Sequence, residues 1–272
     1  MKTAILGLGI IGRAWAENLR KDDVPLAVWN RTPKEFPGFE PDAAKAASGA
    51  DMVIVVVADP PAVQGILERI VPVLRAGQIL VQASTISAAW TRTFAAQVEK
   101  TGASFLEAPF TGSKPAAEAR KTVFYLGGDA GVMERARLVL GRLSQTMMHI
   151  GPLGSASSLK LAMNANIAMV MEGLSESLRF ARAEGVPDEV FFQALQVNVS
   201  RSGVSDLKEG KLKAGDYAPQ FSLKHMDKDL RLALESAGSL ELPQLRALKA
   251  RYDQGMRKGL GDEDFSVLMR LL

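Results

Sequence analysis

The chain has 272 residues, 47% hydrophobic and 23% charged, a length for one large or two ordinary domains and a composition that excludes intrinsic disorder. Its 33 Lys and Arg are scattered among 30 Asp and Glu for a net charge of +3; no basic stripe interleaved with aromatics is present, so no nucleic acid partner is expected. The lack of cysteine excludes disulfides, thiol catalysis and cysteine metal sites, and with only two histidines, His149 and His225, no metal centre is expected; a reducing, cytoplasmic setting is compatible with this usage.

At the N-terminus Lys2, the apolar stretch 4–11 and Ala14-Trp15-Ala16 imitate a secretory signal, but Arg13 and three glycines interrupt it. Residues 3–6 are expected to form a buried strand, 10–20 a helix, 26–29 a second strand and 52–57 a third. Further short strands are expected at 79–82, 104–106, 123–126 and 146–150. Their β-branched runs are continuous rather than alternating, which indicates strands covered on both faces: a mostly parallel, doubly wound α/β sheet with helices on either side.

After Gly151-Pro152-Leu153-Gly154 strand-like runs disappear and apolar residues recur at helical spacing. Residues 156–184 suit one long helix, about 1.5 Å per residue and roughly 40 Å in all. Gly185 suits a left-handed cap, and Pro187 opens the next helix. Helices are further expected at 189–196, 223–236, 243–258 and 264–271, so the second half reads as all-helical. The longest apolar stretch, 161–171, contains Asn164 and Asn166 and is too short to span a bilayer, so no membrane partner is expected.

Gly7-Leu8-Gly9-Ile10-Ile11-Gly12 follows an apolar strand and opens a helix. The first glycine allows a tight turn, the second lets backbone approach a pyrophosphate, and the third permits close helix–strand packing. The alternative is a glycine-rich turn without a ligand. The second strand ends in Trp29-Asn30-Arg31-Thr32, without the acid that would bond an NAD ribose; Asp22 and Asp23 precede the strand. Arg31 can fork onto a 2′-phosphate, which favours NADP(H) over NAD; otherwise it is a solvated surface arginine.

The segment 107–116, Glu-Ala-Pro-Phe-Thr-Gly-Ser-Lys-Pro-Ala, follows a strand at the expected carboxyl edge of the sheet. It offers the Thr111 and Ser113 hydroxyls and amides around Gly112 to a small carboxylate, and Ser84-Thr85 could add a hydroxyl near a nicotinamide; alone, both are also ordinary turns. Lys160 and Asn164, four residues apart, share one face of the long helix. By composition Lys160 could be a solvated charge, but directly after the domain junction an ammonium (reference pKa about 10.4) can donate a proton to a carbonyl becoming an alcohol. In Phe221-Ser222-Leu223-Lys224-His225-Met226-Asp227-Lys228-Asp229, helical spacing puts Phe221, His225 and Lys228 on one side with Asp229 adjoining. A charged helix face is the alternative there, and His225 is read as structural rather than catalytic.

In this order, the Gly7–Gly12 fingerprint, Ala108-Pro109-x-x-Gly112, Lys160 with Asn164 and the 221–233 cluster resemble the β-hydroxyacid dehydrogenase family over essentially the whole chain. Within it, Gly112-Ser113-Lys114-Pro115-Ala116, Phe221-x-Leu-Lys-His-x-x-Lys228-Asp229-Leu-Arg-Leu-Ala and Trp29-Asn30-Arg31-Thr32 look most like the NADPH-dependent glyoxylate and succinic semialdehyde reductases. The resemblance implies a Rossmann-type domain over 1–151 and a helical substrate and dimerisation domain over 152–272, in a homodimer or homotetramer. It implies Lys160 as catalytic acid with Asn164 beside it, Thr111, Gly112 and Ser113 on the substrate carboxylate, and Phe221 and Asp229 closing the pocket. Leu8, Ile10 and Ile11 between the glycines, Asn30, Arg31, Thr32, Val57, Thr85 and Lys228 would then meet the NADP(H). The expected reaction is reduction of a short aldehyde acid to its hydroxy acid. Alternatives are tartronate semialdehyde reductase, 3-hydroxyisobutyrate dehydrogenase, an imine reductase, whose members generally lack the lysine, and a non-catalytic NADP-binding domain. Thr111 stands where the family usually has serine, and its added methyl narrows the pocket.

Overall fold

A run such as Met-Val-Ile-Val is stable as a strand only where both faces are covered, because alternate side chains point to opposite sides. The computed structural model, which describes residues 1–272, supplies that cover. In chain order the first elements are β1 (Thr3–Leu6), α1 (Ile10–Lys21), β2 (Leu26–Trp29), α2 (Ala43–Ser48), β3 (Met52–Val55), α3 (Pro60–Ile70), β4 (Ile79–Gln82) and α4 (Ala88–Glu99). β5 (Ser104–Glu107), β6 (Phe110–Thr111), α5 (Lys114–Glu118), β7 (Val123–Gly127), α6 (Ala130–Leu140) and β8 (Thr146–Gly151) follow. The remainder is helical: α7 (Ser155–Ala183), α8 (Asp188–Gln196), α9 (Gly203–Ala214), α10 (Leu223–Ala237), α11 (Pro243–Arg257) and a closing 3-10 segment, Phe265–Leu271. Two compact units result, Met1–Leu161 and Ala162–Leu272, the division falling within α7.

In the first unit the strand order is β2-β1-β3-β4-β5-β7-β6, with β8 on β7. β1 to β5 pair in parallel, whereas β7 runs antiparallel to β5 and β6 and parallel to β8. Ala4, Leu6, Val53, Val55 and Leu80 pack with Leu67 of α3 and Phe94 of α4 on one face. Ile5, Met52, Ile54 and Val81 pack with Trp15 and Leu19 of α1 on the other. Chain direction across the sheet reverses beside β1, with β2 on one side and β3 on the other. In open parallel sheets the carboxyl ends of strands at such a switch point form the ligand crevice.

The second unit is built around Met171 and Leu178 of α7, Phe192 of α8, Leu212 of α9, Leu230 of α10, Tyr252 of α11 and Phe265. Gly185, at φ 79°, takes the left-handed position expected after α7, and Pro187 is the residue just before α8 rather than its first. Other details differ from the sequence reading as well. β3 stops at Val55, because the Val57 amide leaves the ladder for the Ser84 hydroxyl, 2.8 Å away. Residues 265–271 wind as a 3-10 segment, not an α-helix. α9 had no periodic apolar signal and carries Gly203 and Gly210; it starts on a reciprocal cap in which the Ser202 and Ser205 hydroxyls each accept the other's backbone N–H. No helix is long and apolar enough to cross a membrane.

The second unit also encloses an ion pair. Lys208 Nζ lies 2.7 Å from Asp264 Oδ1, with side-chain exposures of 1% and 0%, and 4.6 Å from the Phe265 ring centroid. Asp264 further accepts from the backbone N–H groups of Gln220, Phe221 and Ser266 and from the Ser266 hydroxyl. Burial pushes its carboxyl up, but Lys208 and these donors outweigh it and hold the group below the usual aspartate range. Burial draws Lys208 below the usual lysine range against the pull of Asp264. Asp264 has four other donors, whereas Lys208 has besides Asp264 only Gln220 Oε1 at 3.3 Å and the Phe265 ring. Asp264→Ala is therefore expected to cost about 3–5 kcal/mol in urea unfolding, and Lys208→Met distinctly less; equal losses would contradict this asymmetry.

Candidate dinucleotide and carbonyl site

The loop after β1 is packed to the limit of what glycine allows. A Cβ on Gly7, at φ 120°, would stand 2.1 Å from the Val56 carbonyl oxygen, and one on Gly12 would stand 1.8 Å from the Gly7 oxygen. Gly9, which opens α1, meets nothing within 4 Å. Two glycines thus fit the turn and the helix to the sheet, while the middle one faces open space at a helix N-terminus with no side-chain cap. That is the cradle a pyrophosphate needs: accessible N–H groups and the positive end of a helix dipole. Ile10 is exposed, Ile11 half-buried and Leu8 buried.

Asn30 at the end of β2 fastens this loop. Its Oδ1 accepts from Leu8 N at 2.9 Å, and its Nδ2 donates to the Thr32 oxygen at 2.8 Å. An aspartate could make the first bond but not the second. Arg31 and Thr32 are exposed beyond it. Lys34, which the sequence reading passed over, donates to the Leu8 oxygen at 2.8 Å. A cation therefore sits against the glycine loop. The signal for it is present, a lysine five residues after a strand that ends without an acid, but its partner is 26 residues away in sequence.

At the ends of β3 and β4 the backbone is again held by side chains. Ser84 Oγ accepts from Val57 N, and buried Gln82 accepts from Ser84 N at 2.6 Å while donating to the Ser84 oxygen at 3.0 Å. These bonds fix the segment carrying half-buried Thr85.

β5 ends in Glu107, 0% exposed, one residue beyond the strand expected over 104–106. Oε1 accepts from the backbone N–H groups of Gly154 (2.7 Å) and Ala156 (3.1 Å); Oε2 accepts from Ser157 N (3.1 Å) and Ser157 Oγ (2.6 Å). Every bond goes to the entry and first turn of α7, whose free N–H groups need acceptors. From the same strand end the chain runs on through Ala108-Pro109 to Thr111, Gly112 and Ser113, all half-buried, with Gly112 at φ 123°. Ser113 precedes α5 without spending its hydroxyl on a cap. Trp15 Nε1 donates to Thr122 Oγ1 (3.2 Å) and Asn18 Nδ2 to the Ala117 oxygen (2.9 Å), which hold the far side of this loop on α1. Lys160, in the second turn of α7, is only 8% exposed, not the solvated charge of the alternative reading.

In the second unit Asn164 (3% exposed) donates from Nδ2 to Asp229 Oδ2 at 2.6 Å, and Lys228 Nζ lies 2.7 Å from Asp229 Oδ1. Asp229, 1% exposed, thus binds two of the residues singled out from the sequence. Phe221 stacks on His225, 21° between rings, and the His225 Nδ1 bonds Ser222 Oγ at 2.6 Å. His225 is accordingly part of the support for Phe221.

Residues 2–151 match the family model for the NAD-binding domain of 6-phosphogluconate dehydrogenase, and residues 154–272 match the NAD-binding region of NADP-dependent 3-hydroxyisobutyrate dehydrogenase. The chain is 29% identical to glyoxylate/succinic semialdehyde reductase 2 (chloroplastic) of Arabidopsis thaliana, covering 98% of this chain and 78% of that one. It is 28% identical to reductase 1 of the same plant, covering 99% and 97%. Among solved structures, Mycobacterium tuberculosis 3-hydroxyisobutyrate dehydrogenase, determined with L-serine, superposes with a TM-score of 0.90 at 23% identity, covering 99% and 98%. A nicotinamide dinucleotide is the ligand the glycine cradle fits. Asn30→Ala strips Leu8 N of its acceptor, which should lower stability by about 1–3 kcal/mol. It should also weaken dinucleotide binding severalfold, as read by fluorescence titration; unchanged affinity would show that the loop holds its shape without Asn30.

Proposed function

Because the chain belongs to the β-hydroxyacid dehydrogenase family, we propose that it uses NADPH to reduce a short aldehyde acid, glyoxylate or succinic semialdehyde, with Lys160 as the proton donor. The observation that carries this reading is a lysine withdrawn from solvent on a helix whose first turn is bonded to the end of β5, the strand that runs directly into the Thr111–Ser113 hydroxyls. The full-length likeness to two reductases of these aldehydes supports the substrate class.

In this reading the Gly7–Gly12 loop holds the pyrophosphate on its amides and on the α1 N-terminus. Arg31 and Lys34 take the 2′-phosphate, and Asn30 replaces the carboxylate that would repel it. Ile10, Ile11, Thr32 and Val57 line the nucleotide, and Thr85 and Lys228 meet its nicotinamide end. When bound, NADPH supplies the hydride that the aldehyde carbon accepts. Thr111, Gly112 and Ser113 anchor the substrate carboxylate by hydroxyl and amide donors, which orients the carbonyl. Lys160 donates a hydrogen bond to the carbonyl oxygen, stabilises the alkoxide as it develops and passes it a proton. Asn164, whose amide nitrogen is held by Asp229, positions the lysine's neighbourhood, and Phe221 excludes water. An aldehyde, one hydride and one proton give the alcohol, so nothing further is consumed.

A panel of aldehyde acids, followed by loss of NADPH absorbance, tests the assignment; turnover of glyoxylate or succinic semialdehyde is expected, and inactivity across the panel would overturn it. Lys160→Ala should lower kcat by about 10²–10⁴ while NADPH affinity stays nearly intact; full activity would remove Lys160 from the chemistry. Arg31→Glu should raise the KM for NADPH far more than that for NADH, and equal changes would take Arg31 away from the 2′-phosphate.

A further inference from the structure

Glu107 is a buried carboxylate whose four partners are three backbone N–H groups and one hydroxyl, with no cation among them. A neutral serine or asparagine cap would satisfy a helix start, so a buried charge reaching across from another strand calls for a different explanation. The surroundings are shaped to admit it. Gly127 on β7 faces the carboxylate so closely that a Cβ there would stand 2.0 Å from Oε1. Ser157 Oγ gives its single proton to Glu107 Oε2 and lies 2.7 Å from Thr91 Oγ1. Thr91 must then be the donor in that second bond, so the chain of hydroxyls is oriented from α4 toward the carboxylate. Glu107, Ser157 and Thr91 are all buried.

We propose that Glu107 is a positioning residue: it locks the start of α7, and so Lys160 one turn beyond Ser157, in register with the Ala108–Ser113 loop that leaves the same strand. This rests on the reading of Lys160 as proton donor and of that loop as carboxylate anchor. One side chain then sets the span between the two groups that must grip opposite ends of a short substrate. A lysine rotated or shifted by a fraction of a helical turn would still be bound to a folded protein, but out of line with the carbonyl.

The test compares the full-length wild type with Glu107→Gln and Ser157→Ala. Glutamine keeps the size of the side chain but has an oxygen for one set of donors only; its NH2 must face either the Gly154 and Ala156 amides or Ser157 N. In Glu107→Gln, amide deuterium exchange across 154–160 should accelerate about tenfold. A lasting misplacement of this kind should lower kcat by about 10–100-fold while NADPH affinity and the aldehyde KM stay within about threefold. Ser157→Ala should shift both readouts the same way by less, and it decides the matter alone if Glu107→Gln does not fold. Unchanged exchange would show that Glu107 is not the anchor. Faster exchange with kcat preserved, or a rise in KM with kcat preserved, would show that the anchor is structural only, and either result overturns the proposal. A wild type inactive toward every aldehyde acid is a separate outcome: it overturns the reading of Lys160, and the positioning role falls with it.

Discussion

Where a parallel sheet ends, the last N–H groups of each strand lose their ladder partners, and in a covered sheet water is not there to replace them. In the first unit the edge that carries the candidate site solves this with side chains from neighbouring strand ends. Asn30 takes Leu8 N after β1, Ser84 takes Val57 N after β3, Gln82 takes Ser84 N after β4, and Glu107 takes the entry of α7. Each bond satisfies an orphan donor and, by the same act, fixes the conformation of a loop whose residues are candidates for ligand contact. The conformation of these loops is thus tied to satisfying backbone polarity at one edge.

This explains which parts were legible in the sequence. Strands β1, β2 and β4 are predominantly apolar runs, which marks them as strands covered on both faces, and the parallel pairing of the first five strands follows from the same cover. The two structural glycines are equally readable, since only glycine tolerates an oxygen where Gly7 and Gly12 meet one. What was not readable depends on partners far along the chain. Glu107 bonds residues 47 to 50 positions away, and at the end of Ser-Phe-Leu-Glu it looks like the first polar residue of a loop. Lys34 lies in the polar stretch after β2, where its contact with Leu8 leaves no periodic trace. β6 is two residues long and exists because β7 offers an edge. α9 is the converse case: weak local propensity, with two glycines, is overruled by a reciprocal serine cap and by Lys208 and Leu212 buried on one face.

The second unit uses buried charge differently. Lys208–Asp264 ties the segment before α10 to the C-terminal turn, because Asp264 collects the N–H groups of Gln220 and Phe221 as well as those of its own turn. Phe221 is therefore held from two directions, by Asp264 through its backbone and by the stacked ring of His225. Apolar replacements of equal volume are often as stable as a buried ion pair, so what this pair visibly contributes is the set of backbone groups that Asp264 gathers. Asp229, gripping Asn164 and Lys228 at once, fits the same pattern.

The placement of a lysine near the beginning of α7 raises an electrostatic difficulty that Glu107 answers. The first turn of a helix carries unsatisfied N–H groups worth about half a positive charge, and cations are disfavoured beside it. Lys160 is buried in the turn that follows, where low polarisability strengthens that repulsion. With Glu107 accepting from Gly154, Ala156 and Ser157, a full negative charge lies directly on those groups and more than offsets the dipole. An uncharged cap would satisfy the hydrogen bonds but leave the field in place. On the proposed reading the carboxylate does two things that a serine could not: it reaches from β5 to the start of the helix, and it offsets the field there for a lysine withdrawn from water.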